Sequence, residues 1–264
     1  MTLVLSDQFL MTLLLVPVII LAEAFWPARK VPAKHYFFDI GYWAANLVLM
    51  AFVAPLLATA IALGVQNLGA GFIKLGDLGL SGFGAALFAL LVTTFISDFF
   101  YYWFHRLLHH NPILWQTHLL HHSDEHMNTM TAPRSHFTET MLSPLFIALP
   151  MAILFDLPPI TVGVLSLLPA AYHFFSHANV KCHYGPLWWV LISPSYHRIH
   201  HSIELRHRDK NFANWFPFWD IVFGTAYRPK KDEYPETGVD GVEVKTLSQA
   251  FLLPFTQWWK MARN

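Results

Sequence analysis

Cysteine is nearly absent: the 264 residues contain one, Cys182. A disulfide framework and an iron–sulfur cluster each need at least two thiolates, so both are excluded within this chain. Charge is scarce too, 13% of residues, against about 25% in an ordinary soluble domain. Lys and Arg balance Asp and Glu at 17 each, which removes the basic excess that nucleic-acid binding needs. The chain has no His-Glu-x-x-His signature, no low-complexity segment and no flavin or haem fingerprint. A zinc-dependent membrane hydrolase therefore lacks its usual motif, and any electrons the chemistry requires must come from another protein.

Apolar sequence is what the chain has in abundance, 55% hydrophobic and 16% aromatic, a composition suited to lipid as solvent. Leu3 to Ala24 is long enough for a first span, and without a basic leader or a cleavage site it reads as retained. Pro17 kinks it. Arg29, Lys30 and Lys34 then mark a cytoplasmic loop. Phe37 to Leu63 returns outward, with Trp43 as an interfacial anchor; Gly64 to Gly84 is a glycine-rich external loop; and Ala85 to Phe104 runs back inward. Glu139 to Phe155, short and interrupted by Pro144 and Pro150, and Ile160 to Phe175 read best as a hairpin about Asp156-Leu157-Pro158-Pro159 that enters and returns; a full crossing would return the chain to the same face as well. Of the 17 Lys and Arg, all but Lys74 fall on that face. Phe251 to Met261 has the composition of a helix that lies at the membrane interface or packs on the rest of the chain.

Histidine is the second abundance, with 16 in the chain. His105 and His109 stand four apart and are followed by His118, His121 and His122; His173 and His177 stand four apart and are followed by His197, His200 and His201. Spacings of three and four share a helix face, so each set of five can aim at one spot. Imidazole suits Fe, Zn, Cu and Ni. Ten such donors on one side of a membrane imply two metal ions, and ionisable groups beside apolar segments are there for function.

The stretches that carry this pattern are Asp98-Phe99-Phe100-Tyr101-Tyr102-Trp103-Phe104-His105-Arg106-Leu107-Leu108-His109 and Leu114-Trp115-Gln116-Thr117-His118-Leu119-Leu120-His121-His122-Ser123, then Gly185-Pro186-Leu187, Ser195-Tyr196-His197-Arg198-Ile199-His200-His201, Asp209-Lys210-Asn211-Phe212 and Trp219-Asp220-Ile221-Val222-Phe223-Gly224-Thr225. From about residue 90 to 226 the chain resembles the fatty acid hydroxylase/sterol desaturase superfamily of integral-membrane diiron enzymes. That resemblance implies two Fe ions on the ten histidines and O2-dependent hydroxylation or desaturation of a lipid C–H bond. The lipid would be a sterol, fatty acyl chain or alkylglycerol. It also implies an external electron donor, cytochrome b5-like, a ferredoxin or a reductase, and places Asn179 and Asn211 near the metals. Zinc, which generally outcompetes ferrous iron for nitrogen, could stand in for it in purified protein.

Ligating imidazoles need an acceptor on their other ring nitrogen. Asp98 lies two helical turns before His105, which makes it the best candidate; Asp209 and Asp220, and Asp124 and Glu125, follow the later clusters. Phe99, Tyr102 and Trp103 either line a lipid channel or simply pack. His110 and His126 abut the clusters and could replace a member. The expected fold is an all-α integral membrane protein with four to five embedded helices and a cytosolic helical cap that carries the dimetal site. Its segments are 1–84 (membrane region), 85–226 (catalytic) and 227–264 (tail). The compact chain suits a bacterial inner membrane, or the endoplasmic reticulum membrane in a eukaryote. A metal transport protein is the other alternative, but its ligands would lie near the midplane of the spans.

Overall fold

The computed structural model describes residues 2–68, 71–78, 82–156 and 170–263. Helices follow one another as α1 (Thr2–Phe25), α2 (Ala33–Leu68), α3 (Gly82–His110), α4 (Pro112–His122), α5 (Phe137–Phe146) and α6 (Ala148–Leu154). After them come α7 (170–176), α8 (Pro194–His200), α9 (Pro217–Val222) and α10 (Leu247–Arg263). Among the described residues no strand forms, and the isolated bridges are Ile73–Phe155 and Ser202–Thr237. The protein is all-α, as its weak two-residue alternation requires.

Among the described residues three helices are long and apolar enough to cross a membrane: Ala33–Gln66, Gly82–His110, and Phe137–Leu154, in which α5 and α6 run end to end. α1 adds the apolar stretch Leu14–Phe25. Pro17 and Pro55 sit inside α1 and α2 without ending them, a tolerance typical of membrane helices. α6 stops against the loop that follows α2, where Gly71 and Ile73 donate to the carbonyls of Ile153 and Leu154 at 2.9 and 2.7 Å. The first arm of the hairpin thus reaches the far end of α2, the deeper of the two courses open to it. Its turn and most of its second arm, residues 157–169, lie outside the described residues. Lys74 belongs to that far loop, whereas Ala28 donates to the Asn179 carbonyl at 2.9 Å and so holds Arg29 and Lys30 at the histidine end.

Local chemistry sets the breaks that position the histidines. α3 ends at His110 because Asn111 precedes a proline, which disfavours helix there. The Asn111 side chain then accepts from Ile113 and Leu114 at 3.0 and 3.1 Å and starts α4. Ser193 caps α8 in the same way, ahead of Pro194. Tyr42, Leu119, Leu120, Ala250 and Leu253 form a buried cluster that packs α10 on α4 and α2. α10 is therefore a packed helix, yet Leu252, Phe255 and Trp259 on it stay exposed.

Buried polar ties fix the connectors to the spans. Arg134 donates to Asp39 of α2 at 2.8 Å with both side chains enclosed. The Glu23 carboxylate of α1 accepts from the backbone of Thr129 and Asn179. Breaking a buried pair of this kind costs roughly 3–5 kcal/mol, because the surviving charge has no water to turn to.

Candidate metal centre

Nine of the ten histidines converge in two groups. One comprises His105, His109, His118, His122 and His200; the other comprises His121, His177, His197 and His201; in each, the donor nitrogens lie within 4.8 Å of one another. The groups cut across the two halves of the sequence pattern. His200 of α8 joins the rings of α3 and α4, and His121 of α4 joins those that follow α7. Successive residues on a helix point about 100° apart, so His121 and His122 face different groups. The groups abut, with the rings of His122 and His201 stacked 4.5 Å apart.

Bound to one ion at about 2.0–2.1 Å, neighbouring nitrogens stand roughly 3.0–3.4 Å apart. In the second group His177 Nε2 is 3.2 Å from His121 Nε2 and 3.0 Å from His197 Nε2, and His197 Nε2 is 3.3 Å from His201 Nε2. In the first, His105 Nε2 and His118 Nε2 are 3.0 Å apart. The Nε2 atoms of His109, His122 and His200 are buried without any partner. Enclosed lone pairs that face one another at these distances are what a cation satisfies. The residues fit a metal in each group.

The electrostatics agree. Burial, reinforced by neighbouring rings, holds His121, His122, His177, His197 and His201 well below the usual imidazole range. Burial also pushes His200 down to about 3. Neutral imidazole is the ligating form. Several rings are aimed from behind by an acceptor on Nδ1: His105 by the Phe212 carbonyl at 2.7 Å, His118 by Glu139 Oε2 at 2.9 Å, His200 by the Lys210 carbonyl at 2.9 Å and His177 by the His173 carbonyl at 2.7 Å. Each such bond puts the proton on Nδ1 and leaves Nε2 free to bind metal.

The remaining sequence candidates lie around this core. His173 stands outside both groups, with its Nδ1 2.9 Å from Asn214 Oδ1. Asp98 does not touch a histidine, which corrects its expected place behind His105. Its carboxylate accepts the backbone N–H groups of Asn214, Trp215 and Phe216 at 2.9–3.1 Å, so it reaches His173 only through Asn214. Asp220 accepts from Phe212, Ala213, Thr225 and Tyr196 and thereby holds the carbonyl that orients His105. Asp209 and Asn211 adopt left-handed backbone, φ 58° and 60°, on either side of Lys210. Asp209 Oδ1 is 3.8 Å from His109 Nδ1, while Asn211 bonds the backbone of Tyr196 and Tyr227. Asn179 fastens the α1–α2 junction rather than a ring, accepting from Arg29 and donating to its carbonyl.

Other side chains are also accounted for. Asp124 accepts from His126 and Thr131. His110 bonds the Arg106 carbonyl and His126 packs on His35, so neither replaces a group member. Tyr102 stacks on Phe223 and Phe99 packs edge-on to Trp219, fastening α3 to α9 rather than lining a channel. Glu139 is the functional residue the sequence pattern missed. A carboxylate inside an apolar segment is itself a signal of function, and applied to α5 that rule would have found it.

The sequence profile of the fatty acid hydroxylase family matches residues 90–225. Over 53% of its length the chain is 40% identical to an alkylglycerol monooxygenase of Xenopus tropicalis, covering 31% of that protein. Over 64% it is 28% identical to an ornithine lipid hydroxylase of Rhizobium tropici, covering 51% of it. It is also 27% identical over 60% of its length to a very-long-chain aldehyde decarbonylase of Oryza sativa, covering 26% of that protein. The chain thus spans between a quarter and about half the length of these relatives. No solved structure matches it.

Proposed function

Because the chain belongs to the fatty acid hydroxylase family, we propose that it is a membrane-embedded oxygenase with one iron in each histidine group and a lipid C–H bond as its target. The observation that carries this reading is the pair of abutting, buried, all-imidazole groups at one end of three apolar helices. The bound irons would supply the activation of O2. One oxygen atom enters the C–H bond to give an alcohol and the other leaves as water; the two electrons come from an external donor, cytochrome b5-like, a ferredoxin or a reductase, and the two protons come from solvent.

The chain's own residues hold the irons, orient the rings and keep water out. Glu139 and the carbonyls of Phe212, Lys210 and His173 fix the donor tautomers. Buried Leu108, Leu119, Leu120 and Ile199 lie on the same helices as the ligands and keep the centre dry. His173 completes the ten-histidine set as a donor that comes into place when iron is loaded. Asn179 and Asn211, with Asp98, Asp209 and Asp220, hold the surrounding backbone. By the distribution of Lys and Arg the centre faces the cytoplasm.

The relatives are named for alkylglycerols, an ornithine lipid and very-long-chain aldehydes, which favours an alkyl- or acyl-bearing lipid as the target. The direct test is lipid mass spectrometry of cells with and without the gene, grown under isotopically heavy O2. A lipid carrying one heavy oxygen, present only with the gene, is the expected result. If lipids lose two hydrogens without gaining oxygen, the reaction is desaturation; no gene-dependent change at all overturns the proposal.

A further inference from the structure

A second feature lies on the surface beyond α7. A cleft of about 490 Å³ is lined by Lys181, His183, Tyr184, Trp188, Arg228 and Lys231, among others, with no carboxylate in its wall. Among the described residues no ion pair engages Lys181, Arg228 or Lys231, whereas Arg29, Arg134, Arg206 and Lys245 each meet a carboxylate. His183 Nε2 is buried there without a partner; Asp232, exposed beside the cleft, is the acid that acts on His183.

Trp188 in the cleft wall belongs to an exposed apolar run of the chain. Leu187, Trp189 and Val190 are 60%, 55% and 39% exposed. Trp188 packs on the same cluster as Trp219 of α9, and Trp219 packs on Phe95 and Phe99 of α3. Tyr196 in the cleft wall directly precedes His197 of the second histidine group, so the cleft stands at the histidine end of the spans, where headgroups begin. Cations behind a fringe of exposed apolar side chains match an anionic lipid, phosphate on one side and acyl chains on the other.

We propose that this cleft binds the phosphate headgroup of an anionic membrane phospholipid, with Arg228 and Lys231 on the phosphate and Leu187, Trp189 and Val190 among the acyl chains. The site is independent of the oxygenation reaction and does not require metal.

The test is native mass spectrometry of the full chain in neutral detergent, titrated with dioleoyl phosphatidylglycerol and with phosphatidylcholine of the same chains. Phosphatidylglycerol should be retained preferentially. The double variant Arg228→Gln/Lys231→Gln should weaken it about 25-fold, about fivefold per cation, while Lys245→Gln/Lys260→Gln should leave it unchanged. A double variant that binds like the parent overturns the proposal, and complete displacement by inorganic phosphate reassigns the cleft to a free anion. Should the variant not fold, a photoactivatable phosphatidylglycerol on the parent chain decides the matter: label in residues 181–193 or 226–232 supports the site, and label elsewhere overturns it. Because the readout is lipid retention, it stands or falls separately from the oxygenase assignment.

Discussion

The two histidine groups share α4 and α8 but are held differently. In the first, His105, His118 and His200 are braced from behind by Phe212, Glu139 and Lys210, and the unpartnered buried nitrogens are the inward Nε2 atoms of His109, His122 and His200. In the second, His177 alone has a close acceptor on Nδ1, and it is the outward Nδ1 atoms of His121, His197 and His201 that are buried without partners. The first group is shaped by the fold before any ion arrives; the second is held together by what its Nε2 atoms share. Outer partners are typically worth 10–100-fold in metal affinity. The second ion should accordingly be the first to leave under a chelator, and a titration monitored by metal analysis should show two steps.

The harshest break removes a ligand from either group. His200→Ala and His121→Ala should each abolish O2-dependent lipid oxidation while leaving membrane insertion intact, as measured by product formation and membrane fractionation. His200→Ala should lower the tighter step of the chelator titration and His121→Ala the looser one. Activity that survives either change removes that residue from the ligand set.

Next in size is the loss of a brace. Glu139→Gln keeps the shape but exchanges a carboxylate for a weaker acceptor on His118, and should cost the first site 10–100-fold in metal affinity while the second is unmoved. An equal loss at both would mean that the two sites are one thermodynamic unit. Glu139 also shows how far the sequence can be read. The spacing of three and four made convergence of the rings legible, and the apolar runs made the spans legible. Neither told which ring serves which ion, because His121 and His122 diverge by a helical rotation and the chain must fold before His200 meets α3. The braces were less legible still: three of them are backbone carbonyls, which every residue carries, and Glu139 lies 21 residues from His118. Asp98 was misplaced because a shared helix face says nothing about the loop at 214–216 that packs against it.

Acid should strip the difference away. With folded values below the ordinary 6.5, about 3 for His200, the unfolded chain binds more protons than the folded one across that interval. Stability of the metal-free protein is therefore intact above about pH 6.5 and falls as pH drops towards 3, by about 1.4 kcal/mol per pH unit for each such ring. Thermal melting in detergent from pH 7.5 to 4.5 should show a steep decline without metal and a later one with metal bound. A flat profile without metal would mean that the rings are not held neutral by burial.

The smallest effect belongs to Asp209, the one exposed carboxylate near a ligand ring among the described residues. Its oxygen is 3.8 Å from His109 Nδ1, beyond a hydrogen bond, and its side chain is 45% exposed, so water screens what charge it offers. Asparagine accepts the left-handed backbone at this position as readily as aspartate does, so Asp209→Asn removes the charge without straining the turn that presents Lys210. Metal affinity of the first site should change by less than about twofold, and the melting temperature should not move. A tenfold loss would instead show that His109 is backed by charge as His118 is. All but one of the first group's five rings would then be braced, which would widen its difference from the second.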